Sequence, residues 1–299
     1  VSPPPPPLPR PRDALDIPGF SLGHGTDRTG LTGVTVLLCP AGAVGAAEVR
    51  GSATGTRQFD SLVALHHIAA RVHALVLAGG SAFGLAAADP VCEWLERRGH
   101  GLRTPLGVVP LVPTAVLYDL GFGDPRARPS RPLVASALAA AAAGRVACGS
   151  VGAGTGATVG KARGLECAMK GGFGFASLRA PGGPAVAAAV AVNAFGDVRD
   201  PESGLLVAGC RAAPRSRRLV GADRVLAALA PDARHPWEGA TTLAVVLTDA
   251  ALDKLGAFKI CQMAFGGLYR TLVPAAGLYD GDLVATLSLG AVPASLHQV

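Results

Sequence analysis

The residues best suited to chemistry gather near the end of the chain. Gly239-Ala240-Thr241-Thr242 stands at the start of an apolar run, LAVVLT, and Asp280-Gly281-Asp282 stands at the start of another. A threonine hydroxyl is a poor nucleophile unless a base is held beside it. Side chains alternate along an extended strand, so Asp280 and Asp282 share a face. Two carboxylates that close need a shared proton, a cation or a hydroxyl partner. The same residues also read as a turn and a solvated strand start, and the pattern alone leaves both open. Lys161 is a further candidate, because lysine occurs only at 161, 170, 254 and 259 and this one closes a glycine-rich stretch, 151–160. An amine so placed is either aimed at a site or is a solubilising charge.

Other motifs are weaker. GGSAFG (79–84) falls between a predicted strand and helix, where Gly79, Gly80 and Ser81 could form a plain turn or offer N–H groups to a carboxylate or an oxyanion. The Gly-x-Ser-x-Gly elbow fails, since position 83 is phenylalanine. GTGATVGK (154–161) lacks the glycine at 155 and the Ser or Thr at 162 of a phosphate loop, and Gly-x-Gly-x-x-Gly fails at Ala157, so no nucleotide cofactor is expected. His66, His67 and His73 do not make the i, i+4 spacing of a ligand pair, and no metal is expected. His235 could complete a triad with Ser81, but no acidic residue or glycine pattern organises one.

Periodicity supplies the elements that must hold these residues. Strands are expected at 32–38, 74–78, 185–193, 205–208, 242–248 and 282–288. Helices are expected at 60–73, from Ser81 to near Gly99, at 133–143 and at 250–268. The 151–160 stretch is too rich in glycine for either and reads as a loop. Without strict β-α-β alternation, this is an α/β (α+β) chain of layered sheets flanked by helices rather than a Rossmann domain.

Composition bounds the rest. The 299 residues carry 27 Lys+Arg against 21 Asp+Glu and are 49% hydrophobic, which excludes disorder and describes a globular core. The net charge of +6 comes almost wholly from scattered arginines with no basic run, so nucleic acid is not an expected partner. Apolar stretches are interrupted before membrane-spanning length, so no membrane partner and a cytoplasmic location are expected. The six cysteines form no C-x-x-C pair and read as reduced, mostly buried thiols. Residues 1–16 open with VSPPPPPLPRPR, which reads as a Pro-rich disordered arm outside a single domain at 17–299.

Taken in order, TGVTVLL, GTRQFD, HALVLAGGSAFGLAAAD, PLVPTAVLYDLGFGD, VGAGTGATVGK, KGGFGFAS, VAVNAFGDV, TTLAVVLTDA and DGDLVATLS resemble the DmpA-type L-aminopeptidase/D-esterase family over about residues 17–290. That family includes β-peptidyl aminopeptidases and nylon-oligomer hydrolases, and its ornithine-acetyltransferase cousins share the fold. The resemblance implies a four-layer αββα sandwich, synthesised as one chain and cut by itself before a Ser or Thr. It selects Thr241, seven residues before the TDA triplet, as nucleophile. The cut then falls between Ala240 and Thr241 and leaves chains of 1–240 and 241–299. It also implies Asn193 as oxyanion donor, Tyr118 and Lys161 as pocket residues, and Asp280 and Asp282 as the acidic pair at the nucleophile. A tetramer and a small amide, aminoacyl amide or short peptide as substrate are implied too.

The chemistry is coherent on its own terms. A freed Thr241 amine, with a reference pKa near ~8, can accept the proton of its own hydroxyl. Two residues and one segment depart from the family pattern: Ala240 stands where most relatives have Asn or Gly, Gln58 replaces a Glu, and AAGLY precedes DGD. The Ala-Thr junction keeps an acyltransferase of the ornithine type as an alternative. Ala240 and Gln58 together keep an uncleaved binding or scaffold member as another.

Overall fold

A computed structural model of the chain describes residues 10–179, 181–229 and 239–299. Nine strands join one hydrogen-bonded system: β1 (Ser21–Asp27), β2 (Thr32–Val49), β3 (Gly55–Arg57), β4 (Arg71–Ala78), β5 (Thr114–Val116), β6 (Gly172–Arg179), β7 (Ala185–Asn193), β8 (Thr241–Ala250) and β9 (Leu283–Val292). Their order is β6-β7-β8-β9-β2-β4-β5-β3, with β1 also on β2. The pairs β8·β9 and β4·β5 are parallel and the others antiparallel.

β2 makes two layers out of this system. Its first half pairs with β1 and β4, its register shifts between Leu38 and Ala43, and its second half pairs with β9. Alternation along the strands then sorts three cores. Val34, Val36, Ala74 and Val76 face α1 (Ala88–Glu96) and α2 (Arg131–Ala140). Leu37, Leu75 and Leu77 meet Leu243, Val245, Leu247, Leu283 and Leu287 between the sheets. Ala244, Val246 and Val284 face α3 (Lys254–Thr271). Helices, sheet, sheet and helix are the expected αββα layers. Each fully buried Leu or Val contributes about 1.5–3 kcal/mol relative to an exposed one, so the order of layers is fixed by the parity of these runs.

Several expected elements shift. Residues 60–73 form one helical turn, Asp60–Val63, and Arg71 already begins β4. Pairing with β2, which buries Val72, Ala74 and Val76, outweighs the helical spacing. His73 is therefore a buried strand residue whose Nδ1 accepts the Leu111 N–H at 3.2 Å. The helix expected at 250–268 starts at Lys254 behind its N-cap Asp253, and β8 takes Ala250. Ser81 opens a 3₁₀ segment, Ser81–Ala87, before α1, and the glycine-rich loop holds a 3₁₀ turn at Gly152–Gly154. β1 and β6 carry too many small or polar residues to stand out by alternation. The Pro-rich arm is packed sooner than expected: Arg12 bridges to Ser177, Ala14–Leu15 pair with Gly144–Arg145, and Leu15 is buried. Residues 1–9 and His235 lie outside the described residues. Cys39, Cys167, Cys210 and Cys261 are buried, Cys92 is half-buried and Cys148 is exposed, all of them free thiols. No described helix is long and apolar enough to cross a membrane.

Candidate active site

Strand register assembles the candidate residues. β7 and β8 are antiparallel with Asn193 opposite Thr241, while the lead-in to β8 forms a parallel bridge, Ala240 to Asp280, with the lead-in to β9. Asn193, Thr241 and the Asp280-Gly281-Asp282 triplet thus lie side by side on three neighbouring strands. All are nearly inaccessible to solvent: Asn193 and Asp282 0% exposed, Asp280 1% and Thr241 3%.

Thr241 shares the face of Leu243, toward the layer between the sheets, and Thr242 shares the face of Ala244, toward α3. The Thr241 hydroxyl donates to the Ala240 carbonyl at 2.5 Å, and the Gly281 N–H donates to the same oxygen at 2.7 Å. Thr242 contributes its N–H to Asp282 Oδ1 at 2.5 Å, while its buried hydroxyl, near the same carboxylate, makes no hydrogen bond of normal geometry. Of the two threonines, Thr241 alone lines the cavity that opens here, about 190 Å³ walled also by Thr54, Ser81, Leu117, Tyr118 and Ala240.

Asn193 is held from both ends of its amide. Its Nδ2 donates to the Tyr118 carbonyl at 2.8 Å, and its Oδ1 accepts from the Thr158 N–H at 2.9 Å and from Lys161 Nζ at 3.0 Å. Lys161, 1% exposed, also donates to the Asn193 carbonyl at 2.7 Å. The scarce lysine therefore orients the asparagine and turns its NH₂ away from itself, toward Tyr118, with a second N–H beyond the one given to the Tyr118 carbonyl.

The two acids are anchored by backbone rather than by the Thr241 hydroxyl. Asp280 accepts from Phe195 and Gly277 N–H at 3.1 and 3.0 Å; Asp282 accepts from Thr242 and from Ala276 N–H, the latter at 2.8 Å. Burial raises the pKa of Asp280, against the pull of those N–H groups and of the Lys161 charge. Burial, with the Asp280 charge added, pushes Asp282 up to about 6. Both carboxyls are thus shifted in the direction that burial, and for Asp282 a neighbouring like charge, requires.

The Gly79-Gly80-Ser81 turn forms part of the opposite wall. Its N–H groups are committed within the fold: Gly79 to the Gly33 carbonyl, Gly80 to Asp119 Oδ1 at 2.7 Å and Ser81 to the Leu117 carbonyl. Ser81 lines the cavity, and Gly79 and Gly80 shape the turn behind it. Asp119, which also accepts the Thr32 hydroxyl at 2.8 Å, is the residue that sequence reasoning missed, although it follows Tyr118 directly. Gly281 was missed as well, because a backbone donor leaves no signature in residue type. Gln58 is remote from the chemistry: its Oε1 takes the Val112 N–H at 2.8 Å and braces the approach to β5. Among the described residues no group of three His, Cys, Asp or Glu could hold a metal ion.

Comparison with known proteins places this geometry in context. The sequence model for peptidase family S58 matches residues 13–298. A protein of Mycobacterium leprae described as an uncharacterised aminopeptidase is 40% identical over 291 residues, covering 93% of this chain and 75% of the relative. A 6-aminohexanoate-oligomer endohydrolase of Paenarthrobacter ureafaciens is 29% identical over 273 residues, covering 90% of this chain and 72% of the relative. Among solved structures, the L-aminopeptidase D-Ala-esterase/amidase of Ochrobactrum anthropi, described as a variant of the Ntn hydrolase fold, superposes with a TM-score of 0.68 at 19% identity over 94% of this chain and 76% of that one. The expected fold is the one these comparisons share.

Proposed function

The chain belongs to peptidase family S58 and is a peptidase or amide hydrolase; from that premise we propose that it cuts itself between Ala240 and Thr241 and then hydrolyses small amides, aminoacyl amides or short peptides through Thr241. The observation that carries this reading is the pair of donors on one carbonyl, the Thr241 hydroxyl and the Gly281 N–H on the Ala240 oxygen. They polarise the bond to be cut and hold the attacking group against it.

In this reading the released Thr241 amine becomes the base for its own hydroxyl. Asp280 and Asp282 orient the amine, and the Asn193 amide holds the oxyanion of the tetrahedral intermediate. Acyl transfer to Thr241 releases the amine of the substrate, and water then hydrolyses the ester. Tyr118 and Ser81 bound the substrate across the cavity. The assembled form is proposed to be a homo-oligomer, a tetramer on the family resemblance, working in the cytoplasm.

Intact mass of the purified protein tests the proposal. Wild type should give two fragments meeting at residues 240 and 241, Thr241→Ala one chain, and Thr242→Ala the wild-type fragments. Loss of cleavage in Thr242→Ala but not in Thr241→Ala would overturn the assignment. A single uncut wild-type chain without amidase activity would favour the binding or scaffold alternative.

A further inference from the structure

We propose that Lys170 is a positioning residue for Asn193 and acts on it through a single peptide group, the one that joins Ala157 to Thr158. This rests on the function proposed above, in which the Asn193 amide holds the oxyanion. Lys170 opens KGGFGFAS and lines neither the cavity nor the acidic pair.

The lysine closes a cup of carbonyls. Its Nζ donates to the Gly154 and Ala157 oxygens, both at 2.9 Å, and to the Gly171 oxygen at 3.2 Å. An ammonium has three N–H donors, so each is given to backbone. Thr158–Val159 pair with Met169–Lys170, which sets Lys170 opposite Thr158, and the Gly171 N–H adds a bond of 2.8 Å to the Ala157 oxygen. The nitrogen at the other end of that peptide is Thr158 N, whose N–H donates to Asn193 Oδ1 at 2.9 Å. A peptide group is planar and rigid, so fixing its oxygen fixes the direction of its N–H. Donors on the oxygen also polarise the group and strengthen the bond that the N–H makes.

The glycine-rich stretch has few other means of holding this peptide. A Cβ on Gly154 would collide with the Phe173 nitrogen, and one on Gly156 with the Leu31 carbonyl, so the chain lies flush against its neighbours without side chains to grip them. The cation supplies the grip instead. With the Ala157–Thr158 peptide in place, Asn193 Oδ1 stays turned toward Thr158 and Lys161, and Nδ2 toward Tyr118. Displacement of a reacting or stabilising group by about 1 Å can cost about 10²-fold in rate, so a contact one peptide removed from the asparagine bears on turnover.

The charge matters as well as the reach. Burial lowers the Lys170 pKa to about 8, against the opposing charge of Asp119, the titratable group that faces it; the glycine-rich stretch presents carbonyls, and the Phe122 ring lies 5.9 Å away. Above that value a neutral amine has two N–H groups for three carbonyls, and the cup loosens.

The cut enzyme tests this on an aminoacyl p-nitroanilide, with wild type, Lys170→Met and Lys170→Arg each assayed well below its melting temperature. Lys170→Met should lose roughly 10- to 100-fold in kcat with KM within about threefold, and Lys170→Arg should recover most of that loss. Wild-type kcat should also fall at high pH with a midpoint of about 8. The arginine variant, charged throughout, should lack that fall. The Thr241 amine is common to both proteins, so the difference between their profiles belongs to residue 170. A folded Lys170→Met enzyme with wild-type kcat, or an unchanged alkaline fall in Lys170→Arg, overturns the role and leaves Thr241 standing as nucleophile. Where Lys170→Met does not fold or is not cut, the arginine profile decides by the same criterion. A wild type without turnover of any anilide removes the functional reading, and this role with it.

Discussion

The two walls of the cavity are built on different principles. On one, Asn193, Thr241 and the Asp280-Gly281-Asp282 triplet occupy adjacent rungs of a continuous ladder, and their positions follow from strand register. On the other, Ser81 stands on a turn whose amides close on nearby carbonyls and on the buried carboxylate of Asp119, which follows Tyr118 in the segment after β5. In the proposed function the first wall places reacting atoms, so removing a single donor there should cost rate beyond what it costs in stability. The second wall places a surface, so damage there should cost stability first and rate through it.

The largest separation between the walls is expected at Asn193. In the proposed function its remaining N–H is the side-chain donor to the oxyanion, and loss of one such donor typically costs about 10²- to 10³-fold in rate. Asn193→Ala should therefore slow anilide turnover by roughly that factor; it also leaves the buried Thr158 N–H and the Tyr118 carbonyl unpaired, at about 1–3 kcal/mol each, so turnover is measured well below the lowered melting temperature. Steady-state kinetics beside a thermal melt reads both. A folded variant that keeps wild-type turnover would show that the asparagine is only a structural bridge between β7 and Tyr118.

Asp119→Ala should show the opposite split. It strands the Gly80 N–H and the Thr32 hydroxyl in a buried setting, and each unpaired group costs about 1–3 kcal/mol. Denaturant unfolding should reveal that loss, while mass spectrometry still finds the cut at Thr241. Should Asp119→Ala stay as stable as wild type yet lose cleavage as completely as Thr241→Ala, the division between the walls fails.

The same contrast explains what the sequence could disclose. The parity of LAVVLT and TGVTVLL, and the rarity of lysine, pointed to buried strands and to Lys161, because burial and charge are properties of residue type. The DGD spacing pointed to two acids on one face, and both are buried on the lead-in to β9, beside Ala240. The Gly281 and Tyr279 backbone groups were illegible, since every residue carries an N–H or a carbonyl and only register decides which one meets Ala240. Asp119 was overlooked because a lone acid after a tyrosine has no spacing to mark it. The helix expected at 60–73 failed for a related reason: local spacing cannot show that β2 offers a better partner to Val72 and Ala74.

The smallest expected effect concerns the acidic pair and extends the contrast to pH. Burial and the neighbouring Asp280 raise Asp282 to about 6, from an ordinary carboxylate value of 3.8. Between those two values the folded chain holds a proton that the unfolded chain has released, so this group's contribution to stability is complete below the lower value and is lost as pH rises through the upper one. Asp119, Asp197 and Asp280 are raised by burial in the same direction, so the test is a difference between two proteins rather than one curve. In the uncut Thr241→Ala background, adding Asp282→Asn should flatten the fall in melting temperature from pH 4 to pH 7, within the window set by the cited pKa. Parallel curves would mean that Asp282 stays ionised throughout and that its two backbone N–H bonds offset its burial. Addition of Asp119→Asn in its place should flatten the curve at the other wall without touching the Ala240 carbonyl, because the Asp119 carboxylate accepts from the turn and from Thr32.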